Sequence, residues 1–156
     1  MVILKIKDKG EIKIELNETA APISAKNFSD LVSEGFYDGL TFHRVIQGFM
    51  IQGGWPLGTG TGNSGKNIKG EFKANGYDNP LKHSRGVLSM ARSAMPNSAS
   101  SQFFIMHQDS AHLDGQYAAF GKVISGMEIV DAIATCPTDR ADKPQTPVVI
   151  EKAWIE

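Results

Sequence analysis

The first sixteen residues alternate between apolar and polar side chains. Ile12, Ile14 and Leu16 alternate with charged residues, and this period of two is typical of a strand with one buried face. The polar segment Asp8-Lys9-Gly10 separates this stretch from an apolar run over residues 2–7. Glycine and aspartate favour turns, so the pattern predicts a β-hairpin at the start of the chain.

Two segments have a helical period instead. Over residues 22–34, Phe28 and Val32 belong to one apolar stripe, and Gly35 follows where a helix would end. A second, shorter stripe predicts a helix over residues 127–135. The two predicted helices are therefore separated by most of the chain.

The remaining apolar runs are short and predict strands. They cover residues 41–54, with Gly48 in the middle, and residues 87–91, 102–106, 118–124 and 148–155. Many short strands with only two distant helices argue against a parallel α/β fold. We therefore expect a mainly β protein, built as a closed antiparallel β-barrel capped by two α-helices, because closure removes exposed strand edges.

Length and composition narrow the class of protein. A chain of 156 residues is expected to form a single domain over residues 1–156. The net charge of −1 gives no reason to expect nucleic acid or an anionic membrane as a partner. The single cysteine, Cys136, excludes an intramolecular disulfide, and no apolar run is long enough to span a membrane. We expect a cytoplasmic protein that is a monomer, because nothing in the sequence favours a dimer.

Neither the glycine pattern at residues 60–65 nor the four histidines indicate a cofactor or metal site. Residues 60–65 match G-x-G-x-x-G, but Gly70 follows so soon that no helix N-terminus is available to hold a phosphate. The four histidines lack the spacing of metal ligands. We therefore predict a surface loop at residues 60–65, no cofactor and no metal.

One arginine lies in an unusually apolar stretch. Arg44 is surrounded in sequence by Phe42, Val45, Phe49 and Met50, so we expect its guanidinium to be partly desolvated and to need acceptors. Two interpretations follow from this stretch alone. Arg44 either bridges a carboxylate at a strand end or has a functional role.

Three longer segments resemble the cyclophilins, the cyclosporin-binding class of peptidyl-prolyl isomerases. They are F-H-R-V-I-Q-G-F-M-I-Q-G-G at residues 42–54, L-S-M-A-R-S-A-M-P-N-S-A-S-S-Q-F-F-I-M at residues 88–106, and H-L-D-G-Q-Y-A-A-F-G-K-V at residues 112–123. The resemblance extends over essentially the whole chain in order. It implies an eight-stranded antiparallel barrel with a helix at each end and an active site on its outer face.

The resemblance also implies roles for individual residues. Arg44 matches the catalytic arginine and Gln52 the residue that orients it. The walls of the proline pocket match Phe49, Met50, Phe104 and Leu113, and the groove for the preceding peptide matches Ala91, Arg92 and Gln102.

Two matched positions depart from the commonest eukaryotic pattern. His112 replaces a tryptophan that contacts cyclosporin, and Tyr117 replaces a histidine at the pocket floor. We expect catalysis to be retained and cyclosporin affinity, measurable by titration, to be weakened. The loop over residues 92–101 is also one residue longer than in that pattern, so the alignment within residues 93–95 is not fixed.

Three functional hypotheses remain open from the sequence. The first is an isomerase that acts on Pro-containing peptides and on unfolded or partly folded proteins. The second is a module that binds Pro-containing segments and isomerises them only incidentally. The third is that His112 and Tyr117 alter the preference for the residue before proline.

Overall fold

The computed structural model describes residues 1–56 and 65–156. Within them, the chain forms eight strands and two α-helices. In chain order these are β1 (Val2–Ile6), β2 (Gly10–Leu16), α1 (Pro22–Ser33), β3 (Phe42–Ile46), β4 (Met50–Gly53), β5 (Val87–Met90), β6 (Phe103–Met106), β7 (Ala119–Ser125), α2 (Met127–Ala134) and β8 (Ile150–Ile155). Two short 3₁₀ helices, Lys73–Asn75 and Ala111–Leu113, lie in the connections.

All eight strands belong to one antiparallel sheet in the order β3-β4-β6-β5-β7-β2-β1-β8. The sheet is open, so the expectation of a closed barrel is wrong. The two edge strands meet near the residues where each begins, through a bridge between Thr41 and Val149 and through hydrogen bonds that include Phe42 N to the Val148 carbonyl at 3.0 Å and Ile150 N to the Leu40 carbonyl at 2.7 Å. Beyond that point β3 and β8 are not paired with each other, which leaves a curled half-barrel.

The main core lies on the inner side of this curled sheet. Phe28 of α1 is fully buried, and its ring centroid lies 5.1–5.2 Å from those of Tyr37, Phe103 and Phe120. The buried stripe of α1 includes Phe28 and Val32, as its sequence period predicted. Burial of this apolar stripe is what fixes α1 against the sheet.

The boundaries of the helices agree closely with the sequence. α1 and α2 each begin at the predicted residue and end one residue earlier than predicted. The predicted strands are all present, with small differences at their ends. No helix among the described residues is long and apolar enough to cross a membrane. The predicted surface loop at residues 60–65 lies, apart from Gly65, outside the described residues.

Candidate active site

The central strands carry apolar residues on both faces. On β6, Phe103 and Ile105 belong to the main core, whereas Phe104 and Met106 belong to a second apolar cluster on the opposite face. Successive side chains of a strand point to opposite faces, so a strand that is apolar throughout supports two separate packing surfaces. The second cluster is the outer cluster, formed by Met50, Val87, Phe104, Met106, Leu113 and Ala119, with Ile46, Phe49, Leu81, Ala91 and Tyr117 packed against it.

A cavity of about 120 Å³ opens at this outer cluster. It is lined by nine residues, all of which the sequence singled out: Arg44, Phe49, Met50, Gln52, Ala91, Arg92, Phe104, Leu113 and Tyr117. The structure therefore brings together residues that are up to 73 positions apart in the chain. Two further predicted residues, Gln102 and His112, do not line the cavity but lie beside it.

A bulge in β3 sets the direction of Arg44. The β3–β4 register shifts between Phe42 and Arg44, so that His43 is the extra residue. Phe42 and Val45 both enter the core, and Arg44 is exposed on the other face. Bulges of this kind re-aim side chains next to active sites. The expectation that Arg44 would be partly desolvated is wrong: Phe42 and Val45 point into the core, and Phe49 and Met50, which line the same cavity, leave its side chain exposed.

Two glutamine amides connect Arg44 to the loop before β6. Arg44 Nη1 donates to Gln52 Oε1 at 3.3 Å, and Gln52 Nε2 donates to Gln102 Oε1 at 2.9 Å. Gln52 therefore accepts from the guanidinium with one end of its amide and is held in place by the other. The carboxylate partner considered for Arg44 is not found among the described residues.

The apolar wall of the cavity is built by aromatic and aliphatic side chains from separate elements. Phe104 lies opposite Gln52 in the β4–β6 register, and its ring packs edge-on against Tyr117 with centroids 5.7 Å apart. Leu113 comes from the 3₁₀ helix 111–113. His112, from the same 3₁₀ helix, is exposed, with its ring centroid 5.9 Å from that of Phe49. His112 thus lies at the rim of the cavity.

A buried histidine that the sequence did not single out supports Phe104 from behind. His83 Nδ1 lies 3.0 Å from Asp114 Oδ1, and Nε2 lies 2.9 Å from Ser89 Oγ. The carboxylate can only accept, so Nδ1–H donates to Asp114, and in the neutral ring Nε2 then accepts from Ser89. The His83 ring stacks on Phe104 with centroids 6.1 Å apart. This neutral form agrees with burial, which lowers the pKa of His83 even though Asp114 opposes the shift.

A second unpredicted cluster holds the turn between β3 and β4. Gly48 N–H donates to His107 Nδ1 at 2.9 Å, and His107 Nε2 lies 3.2 Å from Asp131 Oδ1. Arg85 donates to both carboxylate oxygens of Asp131 at 2.7 Å. The Arg85 guanidinium thereby holds the pKa of Asp131 below its usual range. In the sequence, His83 and His107 were considered only as possible metal ligands, so neither supporting role was predicted.

The described residues offer neither a metal-binding group nor an activated cysteine at the cavity. Among the described residues, no group of three or more His, Cys, Asp or Glu side chains could hold a metal ion. Cys136 does not line the cavity, and burial raises the pKa of its thiol. The cavity thus offers two arginines, one glutamine amide and an apolar wall rather than an activated nucleophile.

Comparisons with known proteins identify the family of the chain. Residues 1–155 match the family model described as cyclophilin type peptidyl-prolyl cis-trans isomerase/CLD. The chain is 51% identical over 123 residues to peptidyl-prolyl cis-trans isomerase B of Bacillus subtilis, covering 79% of this chain and 82% of that protein. It is 44% identical over 162 residues to peptidyl-prolyl cis-trans isomerase A of Dickeya dadantii, covering 98% and 83% respectively.

A solved structure shows the same fold. The crystal structure of a Cryptosporidium parvum cyclophilin type peptidyl-prolyl cis-trans isomerase in the presence of dipeptide Ala-Pro superposes with a TM-score of 0.90 at 37% identity. The match covers 99% of this chain and 98% of that one. Sequence family and fold therefore agree. The chain belongs to the cyclophilin family and is a peptidyl-prolyl cis-trans isomerase.

Proposed function

We propose that the protein accelerates rotation about Xaa-Pro bonds without covalent chemistry, with Arg44 stabilising the twisted prolyl amide. The observation that carries this proposal is the position of the Arg44 guanidinium, which donates to Gln52 at 3.3 Å at a cavity that also has a wall of apolar side chains. In this role the protein acts as a single domain on Pro-containing segments of unfolded or partly folded proteins.

The energetics of the reaction suit this set of residues. Rotation is slow because amide resonance must be lost, with a barrier of about 18 to 20 kcal/mol. Once the amide twists, its nitrogen becomes pyramidal and recovers a lone pair. A donor aimed at that nitrogen binds the transition state better than the ground state, which is the condition for catalysis.

The required acceleration is moderate. Uncatalysed exchange takes tens to hundreds of seconds, so a typical turnover needs roughly a 10³- to 10⁵-fold acceleration, or about 4 to 7 kcal/mol. A hydrogen bond from a charged donor contributes about 1.5 to 3 kcal/mol. The exposure of Arg44 favours the lower end of that range in the empty site, and a bound peptide would exclude water and strengthen the bond.

The apolar wall supplies the rest by holding the proline ring. Met50, Phe104 and Leu113 are buried in the outer cluster, and Phe104 is fixed by the stacked His83 behind it. A rigid wall restricts the proline while the rest of the peptide rotates, which reduces the entropy lost at the transition state.

Exchange NMR of a short Xaa-Pro peptide tests this mechanism directly. Arg44→Ala should lower the catalysed exchange rate at least tenfold, whereas Arg140→Ala, which removes an exposed arginine that does not line the cavity, should not change it. Unchanged exchange in Arg44→Ala would contradict the role of Arg44. Binding without exchange in the wild type would instead favour a module that only captures Pro-containing segments.

A further inference from the structure

A second arginine lines the cavity, and two aromatic rings hold it in place. The guanidinium carbon of Arg92 lies 4.7 Å from the ring centroid of Phe72 and 4.7 Å from that of Tyr117. A guanidinium at this distance from a ring face is attracted to it. Tyr117 also contacts Phe104, so Arg92 is packed directly against the apolar wall of the cavity.

Backbone carbonyls fix the same side chain from its edges. Arg92 Nε and Nη2 donate to the Gln116 carbonyl at 3.2 and 2.6 Å. Arg92 Nη1 donates to the Ser93 carbonyl at 2.9 Å and reaches the Ala94 carbonyl at 3.4 Å. These bonds occupy at most four of the five N–H groups of a guanidinium, so at least one remains for a ligand.

The charge of Arg92 is not offset by an acidic side chain. Carbonyl groups satisfy its hydrogen bonds but carry no net charge, and Arg92 forms no ion pair within residues 1–56 and 65–156. The lining of the cavity contains two arginines, Arg44 and Arg92, and no aspartate or glutamate. A chain with a net charge of −1 thus places two positive charges at one small cavity.

A charge held this firmly discriminates between ligands better than a mobile one. A lysine on an exposed loop loses side-chain entropy when it pairs with a ligand, whereas Arg92 is already ordered. The rings of Phe72 and Tyr117 also shield part of the guanidinium from water, which weakens screening of its charge.

We infer that Arg92 is a specificity-determining residue that makes the enzyme favour an acidic residue directly before the proline. This inference rests on the proposed function, because it requires the proline ring to occupy the cavity. Ala91 and Arg92 then border the part of the groove that the family resemblance assigns to the preceding peptide. Arg92 itself lines the cavity, and consecutive Cα atoms are about 3.8 Å apart, so the proposal places the side chain before the proline beside the guanidinium.

The test compares three peptides that differ only in the residue before proline: glutamate, glutamine and lysine. The readout is the catalysed exchange rate of each peptide, at subsaturating concentration, divided by its own uncatalysed rate. For the wild type at low salt, we expect glutamate to exceed glutamine by roughly 3- to 10-fold and lysine to fall below glutamine. The glutamate-to-glutamine ratio should approach one in about 0.5 M salt.

Two variants of Arg92 locate the source of the preference. Arg92→Gln should lower the glutamate-to-glutamine ratio toward one, whatever it does to the individual rates. Arg92→Lys, which keeps the charge but loses the planar stacking, should retain part of the ratio. The matched control is Lys9→Gln, which makes the same change of charge in the turn between β1 and β2 and should leave the ratio unchanged.

A wild-type ratio near one, or a ratio that Arg92→Gln does not lower, would overturn the inference. Should Arg92→Gln fail to fold, the Arg92→Lys variant still decides the question, because a ratio equal to that of the wild type would show that the stacked guanidinium does not set the preference. Loss of the proposed function would look different, because no peptide would then be accelerated, including the neutral one.

Discussion

The two faces of the sheet bury apolar side chains for different purposes. On the inner face, Phe28 packs among three aromatic rings with no exposed surface. On the outer face, Phe104 is also buried but borders an open cavity, and its ring contacts a histidine as well as the ring of Tyr117. The inner face is a core built for stability, whereas the outer face is a binding surface that polar groups keep rigid.

The difference shows in what supports each ring. Inner-face contacts are apolar and non-directional, so their strength follows the area buried. Outer-face support passes through the directional hydrogen bonds of His83 with Asp114 and Ser89. Burial acts to raise the pKa of Asp114, but the hydrogen bonds from His83 outweigh it and hold that pKa below its usual range. The carboxylate therefore stays ionised and keeps accepting.

The largest predicted effect comes from replacing one buried phenylalanine on each face with alanine. Phe28→Ala should lower the free energy of unfolding by about 3 to 5 kcal/mol, because it leaves a closed cavity. Phe104→Ala should cost less, about 1 to 3 kcal/mol, since water can enter through the cavity mouth. Denaturant titration measures both changes.

The activities should show the opposite order. Folded Phe28→Ala should keep most of its isomerase activity, whereas Phe104→Ala should lose at least tenfold in the peptide exchange assay, because it removes a wall of the cavity. Phe28→Leu serves if the alanine variant does not fold. Equal losses of stability at the two positions, or full turnover in Phe104→Ala, would contradict the division between the two faces.

Much of the inner face could be predicted from the sequence, since its signals are local. The stripe of α1 and the alternation of the hairpin each follow from a few neighbouring residues. The nine residues lining the cavity came from long motifs shared with a family rather than from periodicity. A period of two would not by itself distinguish the outer cluster from a second core.

Features that depend on contacts between residues far apart in the sequence were not predicted. The bulge at His43 turns Arg44 outward, although its sequence neighbours suggested burial. The N-terminus of α1 lacks a capping side chain of its own and is capped by the buried carboxylate of Glu71, which accepts from Ile23 N–H at 3.1 Å and Ser24 N–H at 2.6 Å. A local sequence pattern shows neither that Glu71 is the capping residue nor how far along the chain it lies from the helix.

The second-largest predicted effect concerns His43, the extra residue of the β3 bulge, which lies between the core-facing Phe42 and the outward-facing Arg44. Burial, and then the charge of Arg44, lower the pKa of His43 from its usual 6.5 to about 4. Its Nδ1 is buried without a hydrogen-bond partner among the described residues, and its ring lies 4.6 Å from that of Trp55. The folded protein therefore resists protonation at this position.

This shift predicts an acid-dependent loss of stability with a definite sign. Between pH 6.5 and about 4 the unfolded chain binds a proton that the folded protein does not, so the stabilisation is complete above pH 6.5 and is lost as the pH falls toward 4. Because His43 is only half-buried, we expect the free energy of unfolding to fall by about 1 to 2 kcal/mol rather than by the full value of the pKa shift.

Denaturant titrations across this pH range should show that the free energy of unfolding depends less steeply on pH in His43→Gln than in the wild type. His112→Gln, which removes an exposed histidine, is the control. Parallel pH dependences for the wild type and His43→Gln would refute the assignment.

The smallest predicted effect tests whether polar support on the outer face controls catalysis. His107 Nδ1 accepts from Gly48 N–H at 2.9 Å, and Phe49, the next residue, lines the cavity. His107→Asn can keep an acceptor at this position, whereas His107→Leu has a similar size and no acceptor. Since Gly48 is exposed and water can replace the lost bond, the two variants should differ in stability by only about 1 kcal/mol. The exchange rate should nevertheless be a few-fold lower in the leucine variant, because Phe49 would be less firmly placed. Equal exchange rates in the two variants would mean that this hydrogen bond stabilises only the turn. In that case only the His83 cluster behind Phe104 would support the cavity.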